Sequence, residues 1–343
     1  MSNLDANPPE QDCPAKDDPG PVAEFHEARD VPLGGVRGVH VMRTLPQRIL
    51  PTVGAWCFLD HFGPQAAAMN VNPHPHIGLQ TVTWPFQGDV RHRDSVGSDV
   101  VVRPRQLNIM TAGHGIAHSE FGIEPGQIGH GLQLWTALPA KHRDIAPHFE
   151  QHRELPVYEV PGLRALVFLG TLDNVTSPAT TYSPILGADI TLNPGATATI
   201  PLTNYHEHAV MVIDGDLTVA AATSTGTGTG TNANTDTDTD TDTDTAVPPG
   251  PLLYLGTGRS ELTLTSRTGA HLILLGGQPF REDIVMWWNF VARTHEDIEE
   301  ARNDWEKRNT ERFPDIAGHT VAERIPAPPL PGVRLKPRGR GSR

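Results

Sequence analysis

The chain is poor in cysteine, in long apolar runs and in cationic side chains, and each shortage closes off a class of protein. Cys13 and Cys57 are the only cysteines among 343 residues. Two thiols cannot build a disulfide framework, so the fold must rest on apolar cores, and a reducing compartment suits the composition. No stretch approaches the ~20 consecutive apolar residues that a membrane-spanning helix needs. Met1–Gly20 is rich in Pro and Asp and lacks the apolar centre of a secretory signal, so the expected location is the cytoplasm, away from the membrane. Lys and Arg total 27 against 40 Asp and Glu, a formal net charge of −13. A surface of that sign repels phosphate backbones, which argues against direct nucleic-acid binding.

Turn formers and strand formers are abundant. The sequence holds 33 Gly and 32 Pro. Short apolar runs such as Ala55–Leu59, Thr81–Phe86, Val100–Val102 and Leu107–Met110 alternate with turn signals at Phe62-Gly63-Pro64, Gln87-Gly88-Asp89 and Val96-Gly97-Ser98. Many short strands at that spacing predict an all-β sandwich or barrel. A second block of the same texture begins near Leu163, so the expectation is two related β-domains in tandem. The predicted boundaries are a disordered leader at 1–20, an N-terminal domain at 21–137, a Pro-punctuated linker at 138–162, a C-terminal domain at 163–322 and a basic tail at 323–343. Within the second domain, the Thr-Gly and Thr-Asp repeats of 223–247 cannot bury apolar surface and predict a disordered insertion. One helix is expected over 294–309. Thr294 with Asp297 resembles a capping box, and Ile298, Ala301 and Trp305 share one face.

The densest chemical signal is Asn72-Pro73-His74-Pro75-His76. Two histidines two apart on an extended chain lie on the same face, so both imidazoles can reach one ion. Further along, Thr111-Ala112-Gly113-His114-Gly115-Ile116-Ala117-His118-Ser119-Glu120 ends in a second pair of that spacing, His118 and Glu120. Three imidazoles and a carboxylate suit a first-row transition metal such as Fe, Mn, Ni or Cu and are too nitrogen-rich for Mg or Ca. Four such ligands leave up to two open positions on an octahedral ion.

These paired motifs resemble those of the pirin family within the cupin superfamily. The likeness runs from about Val31 to Phe313. It includes Phe58-Leu59-Asp60-His61-Phe62-Gly63-Pro64, His92-Arg93-Asp94-Ser95, Leu132-Gln133-Leu134-Trp135 with Leu138-Pro139, and Gly276-Gly277-Gln278-Pro279. The resemblance implies a bicupin, two jelly-roll β-barrels with the C-terminal helix packed on them. It implies one iron ion per chain, as Fe2+, held in the N-terminal barrel by His74, His76, His118 and Glu120, with Mn, Ni, Cu or Zn as substitutes. His206-Glu207-His208 in the second barrel lacks a downstream partner pair and reads as structural, with His271 standing alone. Gln80 stands where the family commonly carries Glu. Pro85 breaks an apolar strand, implying a bulge or edge there. His61, His92 and Asp94 read as hydrogen-bonded structural residues, and His114 as a polar turn residue or, as the alternative, a hydrogen-bond donor to a ligand of the metal.

Three functions fit the resemblance. The least specific is an enzyme on some other small substrate, with flavonol turnover as a side activity. The other two are sharper. One is a dioxygenase of the quercetin 2,3-dioxygenase type, a monomer that opens the ring of a flavonol with dioxygen, in which Glu120 is both ligand and general base. The other is a regulator without turnover, whose metal redox state alters its affinity for a protein partner.

Overall fold

The computed structural model describes residues 11–13, 20–33, 39–66, 70–124, 126–220 and 244–336. It is built almost wholly of antiparallel strands arranged as two double-sheet barrels. The first barrel pairs a seven-stranded with a four-stranded sheet. The larger runs, edge to edge, His148–His152, Leu107–Thr111, Leu79–Gln87, Gly129–Ala137, Trp56–Gln65, Val39–Leu45 and Arg29–Leu33. The smaller runs Asn70–His76, Ile116–Gly122, Val90–Asp94 and Asp99–Val102. The second barrel repeats this plan. Its larger sheet centres on Ile185–Leu192, Ala270–Gly277 and Glu207–Gly215, and its smaller one runs Thr197–Pro201, Glu261–Thr265, Leu217–Ala220 and Thr245–Val247. No helix among the described residues is long and apolar enough to cross a membrane.

Strand alternation sends the side chains of the second barrel's large sheet to two different cores. In Glu207–Gly215, Val210 and Val212 join the interior of the second barrel, whereas Ala209 and Met211 join a core shared with the first. That shared core contains Trp56, Trp84, Trp135 and Phe168, all essentially inaccessible to solvent. That sheet therefore reads as a continuous apolar run because both of its faces are covered. Polar contacts pin the same interface. Trp56 Nε1 donates to the carbonyl of Leu186 at 3.0 Å, and Trp84 Nε1 to Asp189 Oδ2 at 2.8 Å. The backbone N–H of Gly54 donates to Glu207 Oε2 at 2.6 Å.

Several expected boundaries shift. The 138–162 stretch is not a bare linker. It contributes His148–His152 to the first barrel and Val157–Val160 to the second. The former reads His-Phe-Glu-Gln-His, half-buried along its length, so it gives no apolar alternation to detect. Pro21–His26, assigned by sequence to the first domain, instead adds to the second barrel beside Leu252–Gly256. From the expected leader, Gln11–Cys13 forms a strand against Ile284–Trp287; its remainder, 1–10 and 14–19, lies outside the described residues. Most of the Thr-Gly/Thr-Asp insertion lies outside them too, but Thr245–Val247, placed within it by sequence, pairs with Leu217–Ala220. The tail packs as far as it is described: Ile325, Ala327 and Leu335 are buried with Trp305 and Phe313. The helix spans His295–Glu306 with the expected Thr294–Asp297 capping box and buries Ile298, Ala301 and Trp305. Pro85 sits at a register shift between Leu79–Gln87 and Gly129–Ala137, as its missing N–H requires.

Candidate metal centre

The small sheet of the first barrel assembles the site through cross-strand register. Asn70–His76 and Ile116–Gly122 are antiparallel neighbours in which His118 stands directly opposite His74. A register shift between His118 and Glu120 follows. On the other side of Ile116–Gly122, Val90–Asp94 places Asp94 opposite His118 and His92 opposite Glu120. Side chains directly across a sheet and two apart along a strand share a face. One face thus carries His74, His76, His118, Glu120, His92 and Asp94, all within the buried interior.

His74, His76 and His118 converge with ligand-capable atoms within 4.8 Å of one another. His118 belongs equally to a second group of that compactness, with Glu120 and His92. The structure thus brings the three expected histidines together and sets Glu120 against one of them, while His92 joins from outside the expected set. A sequence cue for His92 existed: His92-Arg93-Asp94 has the same i, i+2 spacing as His118-Ser119-Glu120, on an adjacent strand.

Burial holds the convergent imidazoles neutral. The pKa of His74 is lowered to about 3, chiefly by desolvation. His76 and His118 fall well below the usual histidine value, by desolvation first and then by neighbouring histidines. The outward nitrogens of two of them meet backbone carbonyls: His74 Nδ1 donates to Asn72 at 2.8 Å and His76 Nδ1 to Asn289 at 3.0 Å. Their inward Nε2 atoms are then lone pairs. His76 Nε2 and His118 Nε2 lie 3.1 Å apart. Where His118, like His76, carries its proton on Nδ1, two lone pairs face each other there, and one cation bound by both removes the repulsion. The buried His74 Nε2 and Glu120 Oε2 have no hydrogen-bond partner, and orphaned buried polar atoms are costly. A nitrogen-rich set of this kind fits a first-row transition ion and resolves all of these conflicts together.

The other Glu120 oxygen is fixed. Thr83 Oγ1 donates to Glu120 Oε1 at 2.9 Å, and Gln133 Oε1 lies 3.1 Å from the same hydroxyl. A hydroxyl has one proton, and Gln133 Nε2 is buried without a partner. Turning the Gln133 amide over lets Nε2 donate to Thr83 while Thr83 donates to Glu120, so the hydroxyl accepts one hydrogen bond and donates one. Trp135 packs edge-on to His76 with ring centroids 5.2 Å apart and forms part of the apolar wall.

The carbonyl of Asn289 had no counterpart in the sequence reading. It comes from the turn joining Ile284–Trp287 to Phe290–Ala292, where Trp288 takes a positive φ of 55°. Nothing local in sequence marks it, because the contact spans 213 residues. The remaining motif residues serve elsewhere. His114 Nδ1 donates to the carbonyl of Ile145. His61 pairs with His130 at 2.9 Å on the face toward the second barrel. Gln80 donates to Thr111 Oγ1 and to the carbonyl of Thr180.

The second barrel differs at the corresponding place. His208 points inward and is buried, with its pKa lowered to about 3 by desolvation and then by His206 and Arg259. Glu207 faces outward and accepts from Gly54 N and Tyr254 Oη. Among the described residues no group of three metal-ligating side chains forms around His206 and His208. His271 pairs with Asp189 at 2.8 Å.

Two barrels of this topology, one with a buried cluster of three histidines and a carboxylate, define a bicupin. The chain belongs to the pirin family: residues 38–136 match the Pirin domain and residues 187–311 the Pirin C-terminal cupin domain. It is 38% identical to a Pseudomonas aeruginosa protein provisionally named a quercetin 2,3-dioxygenase, over 94% of each chain. It is 35% identical to a pirin-like protein of Caulobacter vibrioides, over 80% of this chain and 91% of that one. The crystal structure of a quercetin 2,3-dioxygenase from Acinetobacter baumannii superposes with a TM-score of 0.79 at 36% identity, covering 92% of this chain and 98% of that one.

Proposed function

We propose that this protein is a metal-dependent dioxygenase that opens the ring of a flavonol or a closely related enolic aromatic, with iron(II) held by His74, His76, His118 and Glu120. The observation that carries the reading is the convergence of three neutral, inward-turned imidazoles beside a buried carboxylate with a partnerless oxygen. The quercetin 2,3-dioxygenase names of the Acinetobacter and Pseudomonas relatives supply the substrate class. A divalent ion bound here supplies Lewis acidity and open positions for a substrate oxygen and dioxygen.

The chain's own residues account for the rest. The carbonyls of Asn72 and Asn289 hold two imidazoles in the tautomer that directs Nε2 inward. Thr83 anchors Glu120 through Oε1 and leaves Oε2 to take the proton of the substrate hydroxyl. Trp135, stacked on Phe58 at 4.0 Å, gives that wall a rigid aromatic face and keeps water from it.

The deciding experiment is anaerobic loading with iron(II), followed by oxygen uptake in air-saturated buffer with a panel of flavonols and with none. Uptake that depends on flavonol is expected. Uptake no greater than in the substrate-free control overturns the flavonol dioxygenase reading and leaves the regulator and an enzyme on another small substrate. Elemental analysis should show close to one first-row metal per chain. Two equivalents would bring His206 and His208 into consideration.

A further inference from the structure

The three convergent histidines share one device, and following it leads to a residue outside the ligand set. A neutral imidazole that donates from Nδ1 keeps its lone pair on Nε2, so the acceptor at Nδ1 selects the metal-binding tautomer. For His74 and His76 that acceptor is a backbone carbonyl. His118 has a side chain instead: its Nδ1 faces Nδ1 of His92 at 3.4 Å. His92 can accept there only if its own proton is on Nε2. That nitrogen lies 3.0 Å from Asp94 Oδ2. Asp94 is fully buried, and its other oxygen accepts from the backbone N–H of Val96 at 3.0 Å and of Ser98 at 2.9 Å. The His92 ring is held in plane by stacking on Phe149, with centroids 4.5 Å apart.

We infer that His92 and Asp94 are a positioning pair that fixes the tautomer of His118 and raises its basicity as a ligand, an inference that rests on the ligand set proposed above. The hydrogen bonds run one way: His118 Nδ1 donates to His92 Nδ1, and His92 Nε2 donates to Asp94 Oδ2. Direct ligation by His92 is the competing arrangement, since its ring also lies close to Glu120. It is disfavoured because Asp94 occupies one ring nitrogen and the other faces the outer edge of His118. The pair also brings a second negative charge toward the centre, which favours the more oxidised state of a redox-active ion.

The test uses anaerobic titration of the metal-free full chain with cobalt(II), read by its visible spectrum, and with iron(II), read by its reduction potential. His92→Phe keeps the stacking on Phe149 but removes the acceptor. Its affinity for either metal should fall by about 10–100-fold, the usual effect of losing such an outer partner, with an altered cobalt spectrum. His92→Gln offers an amide oxygen to His118 and should recover much of the loss. Asp94→Asn is the sharper variant. Its oxygen must still accept from Val96 and Ser98, so its NH2 faces His92, which turns the His92 proton onto Nδ1 and opposes His118. It should therefore weaken binding as much as His92→Phe does and raise the iron potential.

Wild-type affinity and spectrum in a folded His92→Phe variant would overturn the inference. If that variant does not fold, wild-type behaviour in Asp94→Asn would overturn it equally. Complete loss of metal with His92→Phe, matching His118→Ala, would make His92 a ligand and also overturn it. Full metal retention in His118→Ala would instead remove the ligand set itself and the inference with it. Loss in His118→Ala with no change in the His92 and Asp94 variants would remove the inference alone.

Discussion

The two oxygens of Glu120 have unequal surroundings, and the difference gives a prediction. Oε1 is tied to Thr83, and Oε2 has no hydrogen-bond partner. Glu120→Gln keeps an oxygen for Thr83 but removes the charge and the basicity. Metal should be retained at reduced affinity, and flavonol turnover should fall by about 10²–10⁴-fold, the usual contribution of general acid–base catalysis. The fall should lie in kcat if the lost step follows binding. Metal analysis with steady-state kinetics checks this, and equal turnover by the two proteins would remove Glu120 as the base. A second residue-scale prediction concerns pH. The pKa of His61 is lowered to about 4 and that of His208 to about 3, both chiefly by desolvation. Below pH 6.5 the unfolded chain binds protons that the folded chain refuses. Stability is therefore full above pH 6.5 and is lost as pH falls toward 4, by about 1.4 kcal/mol per pH unit for each such group. Denaturant titrations of metal-free protein between pH 7 and 4.5 should show this loss, and His208→Phe should lessen its slope.

At the scale of elements, the insertion and the helix cap are both open to test. Leu217–Ala220 and Thr245–Val247 are paired strands, with Val219 opposite Thr245, so the ends of the insertion are already held together. Deleting Ser224–Thr243 leaves residues 221–223 and 244 to close a short hairpin. Loop-closure entropy changes by only about 0.6 kcal/mol per doubling of length, so melting temperature and metal content should be nearly unchanged. A large fall in melting temperature would mean that the tract packs on the barrel. The helix cap should behave conventionally. Thr294 accepts from Asp297 N, and Asp297 accepts from Thr294 N and pairs with Arg143 at 2.8 Å. Thr294→Ala should cost about 1 kcal/mol in chemical denaturation.

Across the whole molecule, the barrels are interlocked rather than joined by a tether. Pro21–His26 completes the sheet of the second barrel, and the turn before Phe290–Ala292 supplies the carbonyl that holds His76 in the first. The shared core draws on both. Unfolding should then be a single transition in which absorbance or cobalt signals from the first barrel and far-UV signals from both change together. Separate transitions would show independent barrels. Gly54 marks a close backbone approach between the barrels. Its φ is +52°, and an added Cβ would meet Gly277 Cα at 2.7 Å, backbone against backbone. Gly54→Ala should destabilise the whole unit by roughly 1–3 kcal/mol, as overpacked sites do, without creating a partly folded species.

The sequence by itself determined the β-architecture, the tandem arrangement, the capped helix and the shared facing within each of the pairs His74/His76 and His118/Glu120. These are local properties: turn residues punctuate strands, and alternation alone puts residues two apart on one face. It also marked Pro85 as a bulge or an edge, because a missing N–H is written in the residue, and the register shift there is the bulge. Tertiary structure decided what depends on partners far along the chain. The carbonyl of Asn289 beside His76, the exchange of Pro21–His26 into the second barrel, and the outward clamp of Glu207 on Gly54 arise from register between distant strands. His92 lies between the two cases. Its spacing to Asp94 was legible, but the direction of its hydrogen bonds became definite only when Ile116–Gly122 paired with Val90–Asp94 and set its ring against His118.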